Sequence, residues 1–323
     1  MKTFPFASFS QQVRSLFSLA TTLAFAVFSH GILAGQQAAS PNPPVVCEVP
    51  GVFAPDAVWQ FIGGGYAGCE AAQWIDNTLY YAAHHDHLAF QWDEKNGLRT
   101  WRQDSPEATS FRPDGSGGFY VVEQTHRRLT RWDAEGRMAE VLADKFEGKR
   151  LNRPNDVIVK PADGTLWFTD PDFLFKQRPA DVKELTGQHV YRYDPKTRQL
   201  TAVVRDADLT LPNGIAFSPD EKWLHVTDSG SVNLYRWPVN ADGTLGTREV
   251  CASFAEKGLD GLAFDPAGRL WCCTRAGIRL LTQEGKVLGL LQTPGKPTSI
   301  SFGTQGRVCV TTREACFVSK LTQ

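Results

Sequence analysis

Short apolar runs alternate with clusters of Asp, Gly and Pro along nearly the whole chain. Leu166-Trp167-Phe168-Thr169 and Trp223-Leu224-His225-Val226 are typical runs, rich in aromatic and β-branched residues. Asp163-Gly164, Asp242-Gly243, Glu135-Gly136 and Glu284-Gly285 fall between such runs. Those pairs turn tightly because glycine accepts left-handed backbone, so the pattern predicts antiparallel hairpins. No long apolar period of 3.6 residues stands out, and the expected class is all-β.

Six stretches of the pattern superimpose. They begin at Glu70, Glu107, Asn155, Asn213, Asp260 and Thr298, and each has an apolar residue four places on: Trp74, Phe111, Val159, Phe217, Phe264 and Phe302. The spacings of those positions are 37, 48, 58, 47 and 38 residues. A period of about 40–50 residues with several strands per unit predicts a six-bladed β-propeller of four-stranded blades. Radial repetition would bring one oxygen-bearing position per blade to a common axis. Asp170 and Asp228 each follow the Asn of their own repeat by 15 residues, and Glu123 holds the matching place in the second repeat. The start of one strand and the end of the next share an edge in an antiparallel hairpin, so these groups are expected on one face of the disc.

The first residues differ. Lys2 and Arg14 precede an apolar run from Leu16 to Phe28, with Ala34 and Gly35 after it. Residues 1–34 read as a signal peptide, 35–44 as a disordered polar, Pro-rich lead-in, and 45–323 as the propeller. An uncleaved anchor is the alternative. Export to a periplasm or the medium is expected, with no membrane attachment after cleavage. Cys47, Cys69, Cys251, Cys272, Cys273, Cys309 and Cys316 make an odd count without a CxxC pair, which gives no support for a zinc or redox site. A disulfide of Cys47 with Cys309 or Cys316 is the expected pairing. Cys272 and Cys273 should point to opposite faces of one strand. A net charge of −1 gives no argument for a nucleic-acid partner.

Glu70, Asn155, Asn213 and Asp260 are the candidate metal ligands. Two carboxylates with two amide oxygens form a hard donor set of charge −2, suited to a divalent ion. Ca²⁺ is the first expectation, with Mg²⁺, Mn²⁺ or Zn²⁺ as alternatives. Asn-Gly and Asp-Gly are also plain turn formers, but Glu70 precedes no glycine. Such an ion polarises a carbonyl and acidifies water, and a carboxylate can act as base, which suits ester or lactone hydrolysis. Arg153, Asn155, Glu107 and Glu123 are candidate substrate contacts.

Asn152-Arg153-Pro154-Asn155-Asp156-Val157, Leu166-Trp167-Phe168-Thr169-Asp170-Pro171, Leu211-Pro212-Asn213-Gly214-Ile215-Ala216-Phe217 and Leu259-Asp260-Gly261-Leu262-Ala263 resemble the SMP-30/gluconolactonase family. The likeness runs from about Glu70 to Thr312. It implies a six-bladed propeller with one catalytic divalent ion and a small sugar lactone as substrate. Carried over, Glu70, Asn213 and Asp260 are metal ligands, Asn155 touches metal or substrate, Arg153 touches substrate, and Asp260 is the catalytic base or nucleophile. Three departures bear on the substrate. Glu107-Ala108 stands where many relatives have Asn-Gly; Glu123-Gln124 stands where bacterial lactonases often have Glu-His; and His84, His85 and His87 stand where relatives usually have Ser-Asp. The three histidines read as an exposed hairpin tip rather than a metal cluster. Two alternatives stay open: an organophosphate or ester hydrolase on the same metal site, and a non-catalytic ligand-binding propeller.

Overall fold

The computed structural model describes residues 42–173, 182–206 and 209–322. The expected signal peptide and most of the lead-in lie outside the described residues, as does the middle of the 171–188 gap.

Six four-stranded antiparallel sheets follow one another in chain order. Blade I consists of Cys69–Ile75, Thr78–Ala83, Leu88–Asp93 and Gly97–Arg102. Blade II has Ala108–Pro113, Phe119–Glu123, Arg128–Trp132 and Met138–Ala143. A small hairpin, Lys145–Phe146 with Lys149–Arg150, leads into blade III: Val157–Val159, Leu166–Asp170, Gln188–Asp194 and Gln199–Asp206. Blade IV has Pro212–Phe217, Trp223–Asp228, Asn233–Pro238 and Glu249–Ser253. Blade V has Leu262–Phe264, Leu270–Thr274, Gly277–Leu281 and Val287–Leu291. Blade VI takes Pro297–Phe302, Arg307–Thr312 and Ala315–Lys320 from the end of the chain, and Gln60–Gly64 from its beginning.

That last pairing closes the ring. Gln60 stands opposite Val318 and Phe61 opposite Phe317, so the first strand covers the edge that blade VI would otherwise expose. The segment before it is also tied down, by bridges from Pro44 to Val58, Cys47 to Leu291 and Phe53 to Leu321.

Blades have two buried faces, which explains why their runs read as continuously apolar. On the second strand of blade III, Trp167 enters the core shared with blade IV, while Phe168 enters the core shared with blade II. Cys272 and Cys273 likewise face opposite neighbours. One apolar cluster fills each of the six junctions between successive blades. The expected Cys47 pairing is corrected here. Cys47 packs in the blade V–VI cluster, whereas Cys309 and Cys316 lie in the VI–I cluster with their Sγ atoms 3.5 Å apart.

Hydroxyls stitch the inner strands together round the axis. Thr109 Oγ1 donates to the Asn155 carbonyl (2.7 Å), Thr169 Oγ1 to that of Asn213 (2.6 Å), and Thr227 Oγ1 to that of Asp260 (2.7 Å). Thr298 Oγ1 donates to the Cys69 carbonyl (2.5 Å), linking blade VI to blade I. These bonds fix the main chain of the candidate ligands.

Candidate metal centre and substrate pocket

The inner strands of several blades carry a bulge just where they reach the axis. Pairing skips between Glu70 and Gln73, between Ala108 and Ser110, between Pro212 and Ile215, and between Pro297 and Ser299. A bulge bends the strand and re-aims a side chain. After Glu70 this takes Ala71 into left-handed backbone at φ 62°.

The result is a ring with one residue from each blade: Glu70, Thr109, Asn155, Asn213, Asp260 and Thr298. They line a small axial cavity of about 20 Å³, room for roughly one water or ion. Below it, Asp156 pairs with Arg112 at 3.2 Å and accepts from Ser110 Oγ at 2.6 Å. Above it, a pocket of about 560 Å³ opens over Glu70, Asn155, Asn213, Asp260 and Thr298.

In the second repeat the register departs from the sequence alignment. Thr109, not Glu107, occupies the axial place, because Phe111 stands opposite Val121 just as Val157 stands opposite Phe168. Glu107 sits two residues earlier, at φ 51°, fully buried. Arg153 holds the same place in blade III, two residues before Asn155, so the two side chains meet: Arg153 Nη2 to Glu107 Oε2 is 2.8 Å, with both side chains fully buried. Thr125 Oγ1 also donates to Glu107 Oε2 (2.7 Å). The four metal candidates are thus brought together, while Glu107 and Arg153 form a buried pair beside the pocket rather than in its lining.

Glu123 lies elsewhere. Its carboxylate accepts from Trp132 Nε1 (2.8 Å), Thr130 Oγ1 (3.0 Å) and Arg128 Nε (2.5 Å). Glu123→Ala strands a buried indole N–H and an arginine. It is expected to destabilise the protein by about 3 kcal/mol or more, read as a lower thermal midpoint with KM unchanged. A raised KM at unchanged stability would instead mark Glu123 as a substrate contact.

A second ring comes from the residue that follows the second strand of each blade. It places His84, Gln124, Ser229, Arg275 and Arg313 on the pocket wall, with Phe173 in the blade III sector. His85 and His87 are exposed in the turn between two strands, as expected of a hairpin tip, and only His84 departs from that expectation. The strand stops at Ala83, and residues 84–86 form a tight 3₁₀ turn that folds His84 inward. His84 Nδ1 lies 4.0 Å from Glu70 Oε2, His84 Nε2 lies 3.1 Å from His85 Nε2, and His85 Nδ1 lies 3.3 Å from Glu107 Oε1. A Cβ on Gly68, at φ 69°, would come within 2.3 Å of the His84 ring, so glycine is needed there. His87 turns away and meets the Ser105 carbonyl at 3.0 Å.

Lys296 also reaches the axis, and its place in the repeat signals it. It precedes Thr298 by two residues, as Arg153 precedes Asn155, and its Nζ lies 3.5 Å from Asp260 Oδ2.

The charges explain what the axis wants. Burial pushes the Glu70 carboxyl well above the usual range, and the nearby Asp260 and Asp156 charges push the same way. Burial raises Asp260 to about 6 despite the Lys296 charge and the Asn213 amide, whose Nδ2 donates to Oδ1 at 3.1 Å. Two carboxylates held up by burial, with the Asp260 charge raising Glu70 further, are short of positive charge, which a divalent cation supplies. Among the described residues no group of three or more His, Cys, Asp or Glu is arranged to hold a metal. The set is two carboxylates and two amides, which favours a hard ion.

Comparison with known proteins agrees with this geometry. Residues 69–314 match the SMP-30/gluconolactonase/LRE-like region. A gluconolactonase of Zymomonas mobilis is 29% identical over 266 residues, 74% of this chain and 74% of its own length. A 6-deoxy-6-sulfogluconolactonase of Pseudomonas putida is 33% identical over 241 residues, 71% of this chain and 76% of its own. The structure of a Xanthomonas campestris gluconolactonase superimposes with a TM-score of 0.77 at 30% identity, covering 88% of this chain and 98% of that one. With its six blades, its axial ring and a match over most of its length, this chain belongs to the SMP-30/gluconolactonase/LRE-like family.

Proposed function

We propose that the protein is a metal-dependent hydrolase of a small sugar lactone. The observation that carries this reading is the convergence of Glu70, Asn155, Asn213 and Asp260 at the floor of a polar pocket of about 560 Å³, a size that suits a sugar-sized ligand. The names of the Zymomonas and Pseudomonas relatives support the substrate class.

Glu70, Asn155, Asn213 and Asp260 would hold the ion, and Ca²⁺ fits the oxygen donors best. When bound, a divalent cation polarises the lactone carbonyl and lowers the pKa of nearby water. Asp260 is the base. Its carboxylate takes a proton from the attacking water as the C–O bond to the carbonyl carbon forms. The ring C–O bond then breaks, and the proton passes to the departing alkoxide, leaving the open-chain hydroxy acid. Lys296 beside Oδ2 keeps Asp260 ionised enough for this at neutral pH. His84, His85, Gln124 and Ser229 offer hydrogen bonds to sugar hydroxyls from the pocket wall. Export of the protein rests on the apolar run from Leu16 to Phe28.

The test is a panel of lactones, carboxylic esters and phosphotriesters given to metal-stripped protein, with each divalent ion restored in turn. Lactone hydrolysis that returns with the ion is expected. Turnover of phosphotriesters alone, or cation binding without turnover of any substrate, would overturn the lactonase reading.

A further inference from the structure

The second ring is lopsided in charge. Blades I, II and IV contribute His84, Gln124 and Ser229, whereas blades V and VI contribute Arg275 and Arg313. Lys296 joins the same sector through the ring two residues before the axial one. Arg275, Lys296 and Arg313 line one pocket, and the Lys296 and Arg313 charges both act on Glu70 and Asp260. A Cβ placed on Gly258 would lie 3.8 Å from Lys296 Nζ and 3.9 Å from Arg275 Nε. The Arg313 amide donates to the Lys296 carbonyl at 3.2 Å.

Neighbouring carboxylates do not cancel this charge. Asp260 faces Lys296 but would be engaged by the divalent ion. Glu256 approaches Arg275 at 3.7 Å with both side chains about two-thirds exposed, a weak arrangement. Glu314 lines the pocket as well, and Arg313 acts on Glu70 and Asp260, the same carboxylates the divalent ion would engage. A divalent ion at the axis would leave this corner positive, with Lys296 Nζ 3.5 Å from the axial Asp260.

We propose that Arg275, Arg313 and Lys296 form a subsite for an acidic substituent, so that the preferred substrate is a sugar lactone with a sulfonate, phosphate or carboxylate on the carbon farthest from the ring carbonyl. This rests on the lactonase reading and narrows it. Planar guanidinium groups suit such oxyanions because they donate in parallel pairs. A neutral lactone would make no use of these charges.

The experiment compares kcat/KM of the metal-loaded protein for glucono-δ-lactone with that for its 6-sulfo, 6-phospho and 6-carboxylate analogues. The expected preference for one or more acidic analogues is at least tenfold, and it shrinks as salt is raised. The Arg275→Ala, Arg313→Ala double variant should lower the acidic-to-neutral ratio by tenfold or more. The analogue with the largest ratio identifies the oxyanion. A wild-type ratio near one, or a ratio untouched by the double variant, overturns the proposal. Calorimetry keeps the subsite testable if no lactone is hydrolysed. Tighter binding of the 6-sulfo or 6-phospho acid than of gluconate, lost in the double variant, supports the subsite even though the lactonase reading would have failed. Equal binding of the acids overturns it.

Discussion

Asp260→Asn should abolish lactone hydrolysis, lowering kcat by about a thousandfold or more, while the propeller persists. The substitution is nearly isosteric. It keeps an oxygen for the Asn213 amide but removes both the base and one of two charges facing the ion. A fall of less than tenfold would show that the proton goes elsewhere. The same variant should melt higher than wild type when both are metal-free at pH 7, because one buried carboxylate no longer opposes another. The pH dependence follows. The folded-state pKa of Asp260 is about 6, against the ordinary 3.8. Between those values the native state binds more protons than the unfolded chain, so this group's contribution falls as pH rises. The stability gap between metal-free wild type and Asp260→Asn should therefore open from about pH 4 to above pH 6, with wild type the loser. A gap that closes over that window would contradict the raised pKa.

Glu70→Gln should weaken cation binding more than it weakens the fold. Removing one full charge near a partly buried ion costs about 4 kcal/mol at an effective dielectric of 20, roughly a thousandfold in Kd. The measurement is thermal stability with and without the ion. At a hundredfold excess over Kd, an ion that binds only the folded state adds about 2.7 kcal/mol, and wild type should melt several degrees higher. Glu70→Gln at the same ion concentration should show no shift. An equal shift in both proteins would place the cation away from the axis.

Much of this design was legible in the sequence for a physical reason. A propeller repeats its hairpin, so apolar residues at fixed offsets and Asp-Gly turns mark each blade, and one polar position per repeat is carried to the axis. Glu70, Asn155, Asn213 and Asp260 could be found that way. The second repeat misled because Glu107-Ala108 also has an apolar residue at the right offset, Phe111. The better guide was Thr109-Ser110-Phe111, which parallels Thr298-Ser299-Ile300. Only the bulge opposite Val122 settles which residue faces inward. His84 misled because strand alternation was extended one residue too far. The chain leaves the strand at Ala83, and a turn made possible by Gly68 sets the direction of His84. The arginines of the second ring carry no motif. They matter because loops from different blades meet over the axis, and chain-local patterning does not report such meetings.

The most direct test is anomalous diffraction from crystals soaked in Mn²⁺. One peak is expected on the propeller axis, within bonding distance of Glu70, Asn155, Asn213 and Asp260 oxygens and absent from Asp260→Asn crystals. A peak bound elsewhere, or an axis that stays empty at saturating Mn²⁺, would contradict a cation-centred active site.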